Sequence, residues 1–257
     1  MYSGIVSKLA NLSVAKRTLY EDSKFKYLVS SMLAGFHVGV GLLTMCLSIA
    51  IFADVSFPIV KLVNGFLFSL ALSLVLAAGG DLFTGNVLVL STGAMNKKVT
   101  TGDAVKICTF SYFGNFLGAI LLSLVYYATD IPTDGMTDAI INLAISKASY
   151  GASALFFKGI LCNILVCLGV LVYNKLENEA AKLIMIFWCI LPFVALGFEH
   201  SVANMTCFTL AKMLTPDFTF AMMIKNLIPV TLGNIVGGFV LAGTYQIMGT
   251  KSEKVKN

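Results

Sequence analysis

Apolar residues along this chain gather in runs too long for the elements of a soluble core and without the alternation of strands. Six stretches, at about 28–53, 58–90, 104–128, 151–173, 180–212 and 222–248, each supply the ~20 mostly apolar residues that a helix needs to cross a bilayer. The second and fifth stand apart. Each runs to about 33 residues, longer than one straight crossing, and each is interrupted: by Gly79-Gly80-Asp81 in the second, and by Gly197 in the fifth. Both interruptions precede a polar group at the start of a second half, Thr84 in one and Glu199 with His200 in the other. The pattern predicts an all-α integral membrane protein of six transmembrane helices, with helices two and five broken. Ahead of the first run, Ile5, Leu9 and Leu12 sit at helical spacing opposite Lys8, Lys16 and Arg17, which predicts an amphipathic helix, at the membrane surface or solvated.

An internal repeat organises the runs. Thr84-Gly85-Asn86 ends the second and Val202-Ala203-Asn204 lies near the end of the fifth; Gly114-Asn115-Phe116-Leu117-Gly118 in the third answers Gly233-Asn234-Ile235-Val236-Gly237 in the sixth. Asn86 to Asn115 spans 29 residues and Asn204 to Asn234 spans 30, so the chain reads as two homologous halves of three spans. Three is odd, so the halves must be inverted, an arrangement that places a solute site near the midplane, where broken helices offer N–H groups and positive dipole ends. The expected organisation is a single transmembrane channel domain over 1–257. It comprises a cytoplasmic amphipathic segment 1–27, a first repeat 28–128, a second repeat 151–248 and a cytoplasmic tail 249–257.

Composition agrees with a bilayer as the solvent: 58% of residues are hydrophobic and 12% charged. Basic residues set the expected orientation. Lys8, Lys16, Arg17, Lys24 and Lys26 precede the first span, Lys97 and Lys98 follow the second, Lys175 and Lys182 flank the fourth-to-fifth link, and Lys251, Lys254 and Lys256 end the chain. The other side carries a loop at about 129–147 with Asp130, Asp134, Asp138 and Lys147, and a short loop with Asp217. Both termini are therefore expected in the cytoplasm. The N-terminus lacks the pattern of a cleaved secretory signal, so no cleavage is expected. The formal net charge of +5 follows from this topology and from contact with anionic lipid, and gives no support for nucleic-acid binding.

Candidate chemistry is sparse. Cys46, Cys108, Cys162, Cys167, Cys189 and Cys207 are scattered singly through the spans and read as small core residues, so neither a metal site nor a cofactor is expected. His37, within Gly35-Phe36-His37-Val38-Gly39, reads as a hydrogen-bonded core residue beside a small-residue packing motif. Glu199 and His200 differ: adjacent ionisable side chains inside an apolar run are costly unless they face protein, water or a solute, which makes His200 a candidate pore residue.

Three segments carry a family resemblance: Asp81-Leu-Phe-Thr-Gly-Asn86, Gly159-Ile-Leu-Cys-Asn-Ile-Leu-Val-Cys167 and Gly197-Phe-Glu-His-Ser-Val-Ala-Asn-Met205. In that order, on the second, fourth and fifth runs, they resemble the signature segments of the formate/nitrite transporter family over essentially the whole chain, and within it most resemble the hydrosulfide ion channel branch. Asp81 stands where the family usually has glutamate. The resemblance implies an aquaporin-like protomer, a homopentamer in a bacterial cytoplasmic membrane, and one anion path through each protomer. It implies that His200 is the central pore histidine and Thr84 its partner, that Asn163 and Asn204 hydrogen-bond around them, that Lys147 draws anions to the outer vestibule, and that Glu199 is the associated acid. It also implies apolar constrictions at Phe68, Leu72, Leu82, Phe83 and Phe193.

The function so implied is a channel for small monovalent anions of weak acids, hydrosulfide first and formate or nitrite besides. A buried anion without partners is expensive. It either stays charged beside Lys147 and oriented N–H groups, or takes a proton from His200, whose ordinary pKa of ~6.5 suits that exchange. The alternatives are a formate or nitrite transporter coupled to protons, a neutral-solute aquaporin-like channel, and a membrane-embedded enzyme. Against the neutral-solute channel, paired Asn-Pro-Ala motifs are absent; against the enzyme, no second histidine lies near Glu199 and His200, and there is no H-E-x-x-H pattern and no serine elbow.

Overall fold

The computed structural model describes residues 2–55, 58–130 and 135–250; Asp134, Lys251, Lys254 and Lys256, used above for orientation, lie outside them. The described residues form eleven helices: α1 (Tyr2–Asp22), α2 (Lys24–Ile51), α3 (Val60–Phe68), α4 (Leu70–Ala77), α5 (Phe83–Met95), α6 (Thr101–Tyr127), α7 (Met136–Ser149), α8 (Ala152–Lys175), α9 (Glu179–Ala195), α10 (Ser201–Leu214) and α11 (Phe220–Gly249). Their starts carry local signals. Ser23, Thr100, Asn178 and Thr219 each accept a first-turn N–H through the side chain, and Thr100 with Asp103 forms a reciprocal capping box.

Among the described residues, five helical stretches are long and apolar enough to cross a membrane: Lys24–Ile51, Val60–Ala77, Thr101–Tyr127, Ala152–Lys175 and Phe220–Gly249. The difference from the six expected runs arises at the fifth. The chain leaves helix after Ala195, so α9 has 17 residues, shorter than one crossing, and α10 follows as a separate 14-residue helix. The second run is divided in the same way, with α3 and α4 on one side of residues 78–82 and α5 on the other. Glycine permits both departures, with φ of 94° at Gly79 and 70° at Gly197, in the left-handed region that other residues rarely enter. The stretch expected as a loop at about 129–147 is largely helical: α7 occupies Met136–Ser149 and places Lys147 in its last turn.

The most extensive packing joins α8 to α11 and α2 to α6. On the first pair, a Cβ added at Gly159 would lie 2.7 Å from the carbonyl oxygen of Val230, so the two backbones approach as only glycine allows. Outward faces carry exposed Leu33, Phe113, Leu117, Phe157, Ile228 and Phe239, which suits contact with lipid. The first helix packs against protein: Ile5, Val6, Leu9 and Ala10 are buried where α1 meets α5 and α11, and Lys8 Nζ donates to the carbonyl of Asn174 at 2.5 Å. All six cysteines are free, five of them buried and Cys108 half-buried. His37 is half-buried, and its Nδ1 has no hydrogen-bond partner among the described residues, which departs from the hydrogen-bonded core residue expected.

Candidate functional site

Two asparagines hold the two interruptions by the same set of bonds. At the first, Asn115 Oδ1 accepts from the N–H of Phe83 at 2.9 Å, while its Nδ2 donates to the carbonyls of Ser31 at 2.8 Å and Asp81 at 2.9 Å. At the second, Asn234 Oδ1 accepts from the N–H of Ser201 at 3.0 Å, and its Nδ2 donates to Gly159 at 2.9 Å and Glu199 at 3.0 Å. Each amide caps the first residue of a short helix and ties the irregular strand before it to a long neighbour. Irregular backbone inside a membrane protein needs such partners, since lipid offers none.

The capped ends of α5 and α10 meet. Thr84, in the first turn of α5, brings Oγ1 to 3.0 Å from Nε2 of His200, the N-cap of α10. The other ring nitrogen, Nδ1, accepts the N–H of Ala203 at 3.1 Å. A nitrogen that accepts carries no proton, so the neutral ring is the Nε2–H tautomer and donates to Thr84 Oγ1. That leaves the hydroxyl hydrogen of Thr84 free to turn toward a third group. Asn163 Nδ2 supports this contact from α8 by donating to the carbonyls of Thr84 at 3.2 Å and Asn234 at 2.6 Å.

Beside His200 lies a closed polar ring. Lys147 Nζ donates to Glu199 Oε1 at 3.0 Å, and Asn204 Nδ2 donates to Glu199 Oε2 at 2.7 Å and to Asn226 Oδ1 at 2.8 Å. Asn226 Nδ2 returns to the carbonyl of Lys147 at 2.8 Å. Glu199, 2% exposed, has both oxygens engaged, one of them by the ammonium of Lys147, and both residues line a cavity of about 320 Å3. That cavity reaches His200 and is also lined by Lys61, Asn64, Lys158 and Tyr150. Lys61 and Lys158 fall inside the apolar runs, and the sequence account of charge by side passed over them.

Below the cavity, Phe68, Leu72, Leu82 and Phe193 converge on His200 around a void of about 10 Å3, no larger than a single water. Phe193 stacks on the imidazole with ring centroids 6.2 Å apart, and Phe68 meets Phe193 edge-on at 5.6 Å. Phe83 is not part of this ring. Its buried side chain packs with its ring centre 4.9 Å from that of Tyr112, and lines a separate apolar cavity with α6 and α11.

Sequence reasoning missed a second ionic cluster. Asp81, 6% exposed, accepts from Lys16 Nζ at 2.6 Å and from the hydroxyl of Tyr27 at 2.8 Å, and Asn86 Nδ2 donates to that same hydroxyl at 3.0 Å. The signal was available: Asp81 stands in the first interruption where Glu199 stands in the second, and a buried acid requires a cation or donors. Two further contributors were passed over: Asn226, which closes the ring through Lys147, and Cys167, whose thiol lies 3.4 Å from the carbonyl of Thr84.

Known proteins share this architecture. The profile of the formate/nitrite transporter family matches residues 4–248. The chain is 35% identical to the nitrite transporter NirC of Salmonella typhimurium over 99% of this chain and 94% of that one. It is 34% identical to the uncharacterized transporter YwcJ of Bacillus subtilis over 95% and 96%. Among solved structures, an FNT family ion channel superposes with a TM-score of 0.87 at 33% identity, covering 96% of this chain and 99% of its own. A pentameric formate channel with formate bound gives 0.79 at 30% identity, covering 87% and 96%. The chain belongs to the formate/nitrite transporter family and is a membrane protein of that transporter fold.

Proposed function

We propose that this protein is a passive channel for small monovalent anions of weak acids, with hydrosulfide as the preferred solute and formate and nitrite as further ones. The observation that carries the reading is the buried Thr84–His200 contact at the meeting of two short-helix N-termini, directly beneath a vestibule that holds Lys147. Nitrite and formate appear in the names of relatives that align over most of this chain. In this reading the two interruptions are broken helices in two inverted three-helix halves, so α3, α4 and α5 together, and α9 with α10, complete an aquaporin-like set of six crossings. Each protomer of a homopentamer carries its own path. The termini face the cytoplasm of a bacterial cell and the Lys147 vestibule faces outward.

The geometry supplies a mechanism. An anion exchanges water for the ammonium of Lys147, then meets the apolar ring of Phe68, Leu72, Leu82 and Phe193. There the partial positive charge at the starts of α5 and α10 and the hydroxyl hydrogen of Thr84 replace its hydration. The Nε2–H of His200 polarises that hydroxyl. A proton relay through His200 requires Nδ1 to release the N–H of Ala203 first, so charged passage dominates while the first turn of α10 stays closed. The pairs Lys147–Glu199 and Lys16–Asp81 bracket the path at its two ends.

Flux into proteoliposomes, with hydrosulfide, formate, nitrite and chloride offered separately, tests the reading. Preferred hydrosulfide flux supports it in full. Better formate or nitrite flux keeps the channel and removes the hydrosulfide preference, and absence of anion flux refutes it. Wild-type pH dependence retained in His200→Asn refutes any proton relay at that ring.

A further inference from the structure

The helices α5, α6 and α11 leave between them an apolar groove that the contact between Thr84 and His200 does not use. Its volume is about 490 Å3, with buried Phe83, Val87 and Leu90 as its floor and exposed Val105 and Phe239 at its rim, and no charged side chain lines it among the described residues. The groove follows α5 from its first residue, Phe83, to its last, Met95. That is a rise of ~20 Å against a hydrocarbon core ~30 Å thick, so the groove reaches little beyond the depth of one leaflet.

The two ends of the groove differ. At the first, Phe83 packs on Tyr112, whose hydroxyl meets Thr231 Oγ1 at 3.0 Å and so bridges α6 to α11. Tyr112 and Thr231 also line a second apolar cavity, of about 400 Å3, that continues along α11, so the bridge divides this face into two pockets. A neighbour's spanning helix would need an unbroken trough of ~30 Å, whereas one acyl chain needs only the depth of its own leaflet. At the other end the surroundings are cationic. Lys97 and Lys98 follow Met95 in the connector between α5 and α6, and Lys106 stands next to Val105 on α6. All three are exposed, and none has a carboxylate within ion-pair distance among the described residues.

We propose that this groove binds one acyl chain of an anionic phospholipid, whose headgroup phosphate is held by Lys97, Lys98 and Lys106. The apolar length suits the chain and the basic end suits the charge, so both parts of one molecule are complemented. The chain lies against Phe83, the residue before Thr84, and against Val87 one turn further along. It therefore completes the packing of the short helix whose start meets His200, on the side that α6 and α11 leave open.

Two photoactivatable lipids test the site, phosphatidylglycerol and phosphatidylcholine, each with a diazirine in one acyl chain. Each is added at the same low fraction to the wild-type protein in phosphatidylcholine nanodiscs, and after irradiation the labelled residues are located by mass spectrometry. Each lysine near an anionic lipid is worth about fivefold in binding, so the phosphatidylglycerol probe should label the groove about tenfold or more above the other. Lys97→Gln/Lys98→Gln/Lys106→Gln should bring the two probes to the same yield there. Ala104→Phe, which fills the groove, should remove its label from both probes and leave the label on outward-facing Phe157 unchanged; Ala94→Phe serves if the first variant does not assemble. Equal labelling of the wild type by the two probes, or a preference that survives the triple substitution, overturns the proposal. So does label on Phe157 with none in the groove, the result expected if a neighbouring copy of the chain covers this face. No flux is measured, so the outcome is independent of the channel reading.

Discussion

Removing Lys147 alone should damage the protein more than removing it together with the charge it neutralises. Glu199 is 2% exposed, with one oxygen on the lysine at 3.0 Å and the other on Asn204 at 2.7 Å. In Lys147→Ala the carboxylate remains buried beside one neutral donor, and stranding one member of a buried pair costs about 3–5 kcal/mol. The lysine side chain is 14% exposed, which places the expected loss toward the lower end, about 3 kcal/mol. Lys147→Ala/Glu199→Gln removes both charges, and an amide at 199 still accepts from Asn204, so most of the stability should return. Anion flux should not return, since the vestibule has lost its innermost cation. The assay pairs thermal unfolding in detergent with formate flux at low and high salt, where the wild type alone should show strong screening of its capture step. A single variant as stable as the double, or a double variant with wild-type flux, refutes the reasoning.

Thr84→Ala should reduce anion flux at least tenfold with little loss of stability, and Thr84→Ser should retain most of it, because the argument needs a hydroxyl at that position and not a methyl; proteoliposome flux checks both. Asn234→Ala should uncap α10 and free the backbone of Glu199, with a stability loss of about 2–4 kcal/mol for its buried bonds; Asn115→Ala should do the same at α5, and unfolding in detergent compares them. Lys16→Gln should destabilise the protein through Asp81, and Lys16→Gln/Asp81→Asn should recover that stability, which the same unfolding assay reads.

Much of the architecture was legible because the bilayer imposes it: apolar runs of fixed length become helices, and glycine beside charge inside such a run marks where helix stops. The pairing of Asn86 with Asn204 and of Asn115 with Asn234 was visible as spacing, and Asn115 and Asn234 turn out to make the same three bonds. Other features were hidden for identifiable reasons. Residues 136–149 mix Asp138 and Lys147 with small apolar residues, too polar to signal a span and therefore read as loop. Lys61 and Lys158 sit within apolar runs, where hydropathy averages them away, and only folding brings them to the cavity that Lys147 also lines. The resemblance assigned both Leu82 and Phe83 to the constriction, yet successive residues at a helix start point in different directions, so one joins the ring at His200 and the other packs on Tyr112.

The two acids reveal how the two interruptions differ. Asp81 and Glu199 occupy matching positions, each one residue ahead of an N-cap and each with its carbonyl on an asparagine of the long helix that follows. Their cations come from unlike sources. Lys147 belongs to α7, tied to the body through Asn226, whereas Lys16 belongs to α1, the N-terminal helix. The shorter Asp81 reaches its lysine at 2.6 Å only because α1 is docked, with Ile5 and Leu9 buried and Lys8 bonded to the end of α8. The buried acid at the second interruption is therefore neutralised by a fixed part of the bundle, and that at the first by a separately docked helix. Undocking α1 would expose Ile5 and Leu9 and strand Asp81 at once, so the apolar stripe of α1 and the charge balance at the first interruption reinforce one another.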